Sequence, residues 1–359
     1  MLLPLLELII GMLYGVSLSL YAPSIIKNGL AESYGYLALL STAIAVLTYY
    51  LTGELYERGK YFAMILAGIF LAIASRTVEE HLVLATALLT VFAGIHYVTI
   101  LYIARDTKTL ILAHASYYLG MSLGAMLVYF EIKSPALPLL ALSSIFYCFL
   151  TKEKRERVKR NRSPRLGEIF TVFSIFGLAL GLTTMNVEYY IALRFDAEKE
   201  VAFLITIASL LSSIATILAS PVLGKVDATR FHLVAFSFIA LFFTSFAFVD
   251  DLNVAIALVA LSDFAIIFAD SALEGIYALK NERKGLAITI IGISWEIFVG
   301  IGKIIGFLLY SMGHGYPWLL SSAILISYVV LKNDERLWTK LRFWTSKGIF
   351  QSFRSTFSS

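Results

Sequence analysis

Long apolar blocks separated by short polar stretches run through the whole 359-residue chain. Many blocks reach about 20 residues, the length with which an α-helix crosses a hydrocarbon core of roughly 30 Å. We therefore predict twelve membrane-spanning helices, numbered as spans 1 to 12 in chain order. They are residues 4–25, 34–52, 61–76, 82–104, 108–130, 135–150, 168–193, 200–221, 231–248, 252–273, 285–311 and 316–331.

The composition agrees with this pattern. The chain is 59% hydrophobic and 15% charged, whereas an ordinary soluble domain has about 25% charged residues. With a mean hydropathy of +0.80, a soluble fold would lack the polar surface to cover itself. The single cysteine, Cys148, excludes an internal disulfide. The predicted fold class is an all-α polytopic membrane protein.

One strongly basic stretch divides the chain into two similar halves. Residues 151–165 read TKEKRERVKRNRSPR, and their eight Lys/Arg and two Glu are too polar to enter a bilayer. The net charge of the chain is +4, so its basicity is local to this stretch and does not indicate nucleic-acid binding. We predict a first six-helix bundle at 1–150, a basic cytoplasmic linker at 151–166, a second bundle at 167–332 and an amphipathic basic cytoplasmic tail at 333–359.

The distribution of basic residues predicts the orientation. Of the 29 Lys/Arg, 23 fall on the side of the linker, five on the opposite side and one, Lys303, inside a span. Cytoplasmic loops carry such an excess of Lys and Arg. The chain is therefore predicted to be a multi-pass protein of the plasma membrane with both termini in the cytoplasm.

The halves share short sequence features. Ser116-Tyr117 aligns with Ser294-Trp295 at an offset of 178 residues, and Leu123-Gly124 aligns with Ile301-Gly302 at the same offset. Two six-helix halves joined by a basic loop are the arrangement of two-half transporters, whose halves are related by a pseudo-two-fold axis.

The loop after span 2 resembles the signature loop of the major facilitator superfamily. It reads Gly-Glu-Leu-Tyr-Glu-Arg-Gly-Lys over residues 53–60, with a more degenerate copy over 224–230, and the glycine-rich stretch 292–306 is similar to the eleventh helix of that family. Glu57 stands where the family has Asp, and one residue before the second glycine is missing. The resemblance implies transport by alternating access between two bundles.

The resemblance also implies a gating loop on the cytoplasmic side. Arg58 is expected to pair with Asp106 at the end of span 4, and Gly53 is expected to allow close approach of span 11. The alternative is a solvated turn whose charges only follow the positive-inside rule. The gating residues implied are Gly53, Glu57, Arg58, Asp106, Gly224 and Asp227.

Four ionisable residues lie deep in spans 10 and 11. Asp263 and Asp270 are seven residues apart, as are Glu296 and Lys303, so each pair shares one helix face. A charge at a span centre costs roughly 2.5–3.5 kcal/mol, so such residues are functional candidates. Matching depths predict an Asp263–Lys303 ion pair and an Asp270–Glu296 carboxylate pair that holds a proton. The alternatives are a purely structural ion pair and a place for Asp270 at the cytoplasmic rim with Glu274.

Other polar residues in the spans are weaker candidates for the substrate or proton site. Glu7 is expected near the cytoplasmic interface, where water could hydrate it. Spans 1, 4, 7 and 10 line the central cavity in the resembled family, so the resemblance implies that their polar residues face this cavity. The alternative for each is a purely structural role in packing. These residues are Glu7, Tyr14, His96, Tyr97, Asn186 and Glu188.

Acidic residues outnumber basic ones in the spans, which favours proton coupling or a cationic or amphipathic solute. We therefore predict a secondary active transporter of a small organic solute, proton-coupled, with efflux as the first candidate direction. It is predicted to be a monomer in the lipid bilayer and not an enzyme, and to bind no cofactor, metal or nucleic acid. The alternatives are uptake of a neutral or cationic nutrient, or a transporter-like sensor or lipid scramblase.

Overall fold

The computed structural model describes residues 2–27, 34–58, 62–132, 137–152, 166–183, 187–195, 198–223, 227–279, 281 and 284–334. Residues 153–165 of the predicted linker, the tail from 335, Gly224 and Asn186 lie outside these ranges, and the side chain of Glu188 also lies outside the description.

Each predicted span contains helical structure, and no strand occurs in the described residues. Spans 1 to 5 are α1 to α5, and spans 8 to 12 are α9 to α13. The helices are α1 (Leu2–Lys27), α2 (Tyr34–Glu57), α3 (Ala63–Thr77), α4 (Leu82–Ile103), α5 (Thr107–Tyr129), a 3₁₀ helix (Leu137–Ser144), α6 (Ile145–Lys152), α7 (Leu166–Leu182), α8 (Val187–Phe195), α9 (Glu198–Leu223), α10 (Ala228–Ala247), α11 (Leu252–Tyr277), α12 (Lys284–Met312) and α13 (Tyr316–Asn333).

Polar residues between the spans cap the N-termini of helices. Asp106 accepts a hydrogen bond from the Thr109 amide at 2.7 Å, and Asp251 accepts one from the Val254 amide at 3.0 Å. A side-chain oxygen at this position satisfies one of the free amides of the first turn. Pro317 stands at the start of α13, where a missing N–H costs nothing.

Spans 6 and 7 are not single α-helices. Span 6 is the 3₁₀ helix followed by α6, and Pro138 lies in the first turn of the 3₁₀ helix. At about 2.0 and 1.5 Å per residue, these two pieces rise together by about 28 Å, close to a hydrocarbon thickness. Leu139, Leu142 and Phe149 are exposed along them, as lipid-facing side chains would be. Span 7 is divided into α7 and α8, between which residues 184–186 lie outside the description.

Seven described helices are long and apolar enough to cross a membrane: α1, α4, α5, α9, α10, α11 and α12. Large apolar side chains also cover much of the outer surface; Leu218 is 75% exposed and Phe248 is 70% exposed. A soluble protein rarely exposes so much contiguous apolar surface. These features are those of a multi-pass helical membrane protein, and the count of twelve spans stays a prediction.

Glycines allow α1 and α5 to pack backbone to backbone. A Cβ at Gly15 would lie 2.6 Å from the Met121 Cα, and a Cβ at Gly124 would lie 2.8 Å from the Val16 amide nitrogen. Gly11 faces the backbone of Tyr117 in the same way. Close packing between small residues is the usual means of holding helices together in lipid.

The same contacts recur between α7 and α12. Gly177 faces the backbone of Trp295, and Gly181 faces that of Val299. The partners on α12 are 178 residues after Tyr117 and Met121, so the offset predicted from the sequence is confirmed in three dimensions. The glycines themselves are 166 residues after Gly11 and Gly15.

The other helix pairings repeat as well. In the first half, α2 and α3 pack on α4. In the second half, α9 and α10 pack on α11 in the corresponding way. Across the halves, α2 packs on α12 and α5 packs on α9, which are equivalent pairs under the same repeat. The packing therefore has an internal pseudo-symmetry, while the domain limits given above stay predictions.

We expect Gly15→Ala to lower the free energy of unfolding by about 1–3 kcal/mol, because the added methyl group meets backbone atoms that cannot change rotamer. Thermal unfolding of the detergent-purified protein measures the change, and Gly181→Ala should behave alike. Ala257→Val enlarges an exposed position on α11 and should leave the midpoint unchanged. An unaltered midpoint in Gly15→Ala would contradict the packing described.

Candidate functional site

The seam between α2 and α12 joins the two halves along most of the length of both helices. Their contacts pair Thr42 with Gly300, Tyr49 with Gly292, Gly53 with Thr289 and Glu57 with Gly285. The numbering rises on one helix as it falls on the other, so the helices run antiparallel. Gly53 therefore lies against the helix of span 11.

Polar contacts close this seam at its predicted cytoplasmic end. Glu57 Oε1 accepts a hydrogen bond from the Gly285 amide at 2.8 Å, at the start of α12. The amides of a first helical turn have no partner within the helix, and they favour an anion. Lys284 Nζ donates to the carbonyl oxygens of Tyr102 at 3.0 Å and Ala104 at 3.3 Å, at the end of α4. We call these five residues the end clamp.

The predicted Arg58–Asp106 ion pair is wrong. Arg58 bonds instead to Glu54, one turn earlier on α2, and its side chain is 65% exposed. Asp106 is occupied as the cap of α5, where its Oδ1 accepts from the amide and the hydroxyl of Thr109. Among the described residues, Lys284 is a cation that does join the halves. Asp227, also predicted for the gating loop, lies exposed just before α10.

The two predicted pairs between spans 10 and 11 are also wrong. The main partners of α11 are α10 and α9, whereas those of α12 are α7 and α2, so the two helices do not face each other. Asp263 accepts a hydrogen bond from Ser209 of α9 at 3.0 Å. Glu296 accepts one from the Tyr49 hydroxyl at 3.3 Å across the seam. Lys303 lies seven residues later on the same face of α12.

Asp270 instead joins a cluster with Glu274 and His114. Ligand atoms of these three side chains all lie within 4.8 Å of one another. Asp270 thus lies beside Glu274, as the alternative expected; Glu274 is fully buried near the end of α11, and a place at the cytoplasmic rim stays a prediction. His114 was missed, although the sequence carried the same signal that selected His96, a histidine inside an apolar span.

A second buried acid–histidine pair lies within the first half. Glu7 is fully buried and accepts hydrogen bonds from Tyr147 Oη at 2.7 Å and from His96 Nε2 at 2.9 Å, taking the ring nitrogen as protonated. The expectation that interfacial water hydrates Glu7 is therefore wrong. Both carboxylate oxygens have protein partners, which is how a buried acid is made tolerable.

Aromatic rings lie beside both buried acid–histidine groups. Tyr97 meets Tyr49 edge-on with centroids 5.7 Å apart, and it faces Glu274. The His96 ring lies 4.7 Å from that of Tyr117, which also contacts Tyr14 at 5.9 Å. Of the predicted residues, His96 and Tyr14 thus meet at Tyr117, whereas Tyr97 lies with Tyr49 and Glu274.

With this geometry in place, the chain can be compared with known proteins. No protein-family model matches the sequence, and no curated protein matches it either. The structure is similar to that of the human organic anion transporter MFSD10 (TETRAN), with a TM-score of 0.72 and 14% identity over 92% of this chain and 98% of that one.

It is also similar to XylE, a proton:xylose symporter of the major facilitator superfamily, in a structure bound to 6-bromo-6-deoxy-D-glucose. The TM-score is 0.66 and the identity 12%, over 92% of this chain and 94% of that one. The chain therefore has the fold of the major facilitator superfamily, as its signature loop led us to expect.

We expect Glu57→Ala to weaken the end clamp by about 1–2 kcal/mol, because the Gly285 amide loses a charged acceptor. In a Cys148→Ser background, maleimide labelling of Thr289→Cys, which lies opposite Gly53, should become faster. Glu54→Ala removes a carboxylate one turn earlier that is bonded only to Arg58 in the described contacts, and should leave labelling unchanged. Equal labelling rates in both variants would contradict the clamp.

Proposed function

We propose that the protein is a secondary active transporter of a small organic solute that works by alternating access, with proton coupling and efflux as its direction. The observation that carries the proposal is the hydrogen bond between Glu296 and Tyr49, made across the seam between the two halves of a major facilitator fold. Twelve spans, cytoplasmic termini and a basic cytoplasmic linker belong to the same proposal.

The position of Glu296 supports proton coupling. Its carboxyl group is held by Tyr49 only while α2 and α12 stay together. A carboxylate in an apolar span needs a partner, a proton or water. Opening the seam replaces Tyr49 by water, so the carboxyl exchanges protons with one side of the membrane in one state of the protein. A group whose binding differs between two states drives the change between them.

The seams themselves support alternating access. The α2–α12 seam closes at one end through the end clamp and reaches Thr42 and Gly300 towards the other. On the equivalent seam, Tyr129 of α5 stacks on Phe203 of α9 with centroids 4.4 Å apart. Both seams can open at one end while they stay closed at the other, as rocking of two rigid halves requires.

The substrates of the compared proteins support a small organic molecule as the solute. One transports organic anions and the other carries xylose with protons, according to their descriptions, so the fold serves small organic solutes of different charge. In this chain the described spans carry Glu7, Asp263, Asp270, Glu274 and Glu296. This excess of acid favours a cationic or amphipathic solute.

The test uses the protein reconstituted in sealed vesicles with ethidium, a permanent cation that protonation does not trap, and with the membrane potential clamped. Wild-type vesicles with an acidic lumen should accumulate ethidium. Glu296→Gln should lose this accumulation but keep downhill exchange, because the amide preserves the Tyr49 contact and binds no proton.

Glu168→Gln is the matched control, since Glu168 pairs with Lys332 at 2.6 Å near the helix ends, and its accumulation should persist. Unchanged pH-driven accumulation in Glu296→Gln would refute its role. Absence of ethidium movement under any gradient would count against this substrate class, and would favour the sensor or scramblase if other organic solutes also failed to move.

A further inference from the structure

In the function proposed above, Asp270 and Glu274 count only towards the excess of acid, and no step is assigned to the cluster that they form with His114. His114 lies on α5 of the first half, and the two acids lie on α11 of the second half, which packs against α5. Asp270 and Glu274 are four residues apart, so they share one face of α11. The cluster therefore forms only where the two halves meet.

Glu274 is the residue that requires an explanation. It is fully buried, and neither of its carboxylate oxygens meets a partner with good hydrogen-bond geometry among the described residues, although the Tyr97 hydroxyl faces it. The His114 Nε2 lies 3.5 Å from Glu274 Oε2, beyond good hydrogen-bonding distance. An unpartnered carboxylate in a buried site is expensive unless a proton, water or a bound ion completes it.

His114 is oriented as metal-binding histidines are. Its Nδ1 lies 3.3 Å from the Ser271 hydroxyl. Ligating histidines commonly engage one ring nitrogen in such a hydrogen bond, which fixes the tautomer and leaves the other nitrogen free for the metal. In the tautomer whose Nδ1–H donates to the Ser271 hydroxyl, the lone pair of Nε2 points at Glu274, and two electron-rich atoms then face each other across 3.5 Å.

We propose that His114, Asp270 and Glu274 form a binding site for a divalent transition-metal cation between the two halves. One imidazole and two carboxylates are a donor set for ions such as Mn²⁺, Co²⁺ and Zn²⁺. Two carboxylates and a neutral imidazole balance the charge of one such ion, which suits an apolar interior.

The distances and the access agree with this site. Ligand atoms bound at about 2.1 Å in a tetrahedral site lie about 3.4 Å apart. The 4.8 Å limit within which the three ligand atoms lie therefore calls for side-chain adjustment only. Asp270 is partly exposed, whereas His114 and Glu274 are buried, which gives the ion an entry from one side. Three protein ligands leave positions open for water or solute, so the bound ion is exchangeable.

The Glu7–His96 pair shows what distinguishes this cluster. It has the same two residue types, but Tyr147 and His96 occupy both oxygens of Glu7. No third metal ligand joins that pair among the described side chains. A cation at the His114 cluster would connect α5 to α11 and so hold the halves together. This inference does not rest on the proposed transport function, because binding is measured on the purified protein.

The test is titration of the chelator-treated, detergent-purified protein with Mn²⁺, followed by electron paramagnetic resonance of the free ion, and with Co²⁺, followed by its visible absorption. We expect saturable binding of one ion per chain. Glu274→Gln and His114→Gln should each weaken Mn²⁺ binding by well over tenfold, and Ser271→Ala by about tenfold, the usual effect of removing an outer partner.

His232→Gln is the matched control, because His232 is a buried histidine bonded to Tyr328 at 3.2 Å on another helix, and its Mn²⁺ binding should equal that of the wild type. Glu274→Gln removes an unpartnered carboxylate, so without metal its thermal midpoint should match or exceed that of the wild type. If Glu274→Gln does not fold, Ser271→Ala provides a second test.

Three results would overturn the proposal. One is the absence of saturable Mn²⁺ or Co²⁺ binding to the folded wild-type protein. Another is unchanged binding in His114→Gln and Ser271→Ala. The last is equal competition by Mg²⁺, because an ion that prefers oxygen ligands and keeps its waters would not need the imidazole.

Discussion

A carboxylate in an apolar interior needs a partner, and this requirement explains where the described acids lie. Glu7 is satisfied inside the first half by His96 and Tyr147, so it strengthens that half. Glu296 contacts Tyr49, and Glu274 lies beside His114 and Tyr97, all of them in the other half. The surroundings of Glu296 and Glu274 thus depend on how the halves meet, which makes these two acids sensitive to any movement between them.

In the end clamp, the polar groups that need partners are backbone amides and carbonyls. Helix ends leave amides and carbonyls without partners, and these are costly in or near lipid. At one end of α12, Glu57 of α2 satisfies an amide of α12 while Lys284 satisfies carbonyls of α4, so the ends of two helices are completed together. The signature loop therefore acts here through helix termini, and the charge pair expected for Arg58 is replaced by a local bond to Glu54.

The hydrophobic pattern predicted the helices because span length follows directly from bilayer thickness, and the 178-residue offset was visible because Tyr117 and Trp295 occupy equivalent contacts. The pairs between spans 10 and 11 could not be predicted. Depth along a helix follows from its rise per residue, but the neighbour that each face meets follows from tertiary packing. Glu274 and His114 were missed as a pair for the same reason, since their contact exists only between halves distant in sequence.

The glycine contacts differ in the kind of atom that opposes them. Within each half, Gly15 and Gly181 face main-chain atoms, whereas across the α2–α12 seam Gly53 and Gly292 face the side chains of Thr289 and Tyr49. A side chain can change its contact by turning about a single bond, but a main chain cannot move without its whole helix. The chain thus distinguishes, through what each glycine touches, the packing within a half from the packing between the halves.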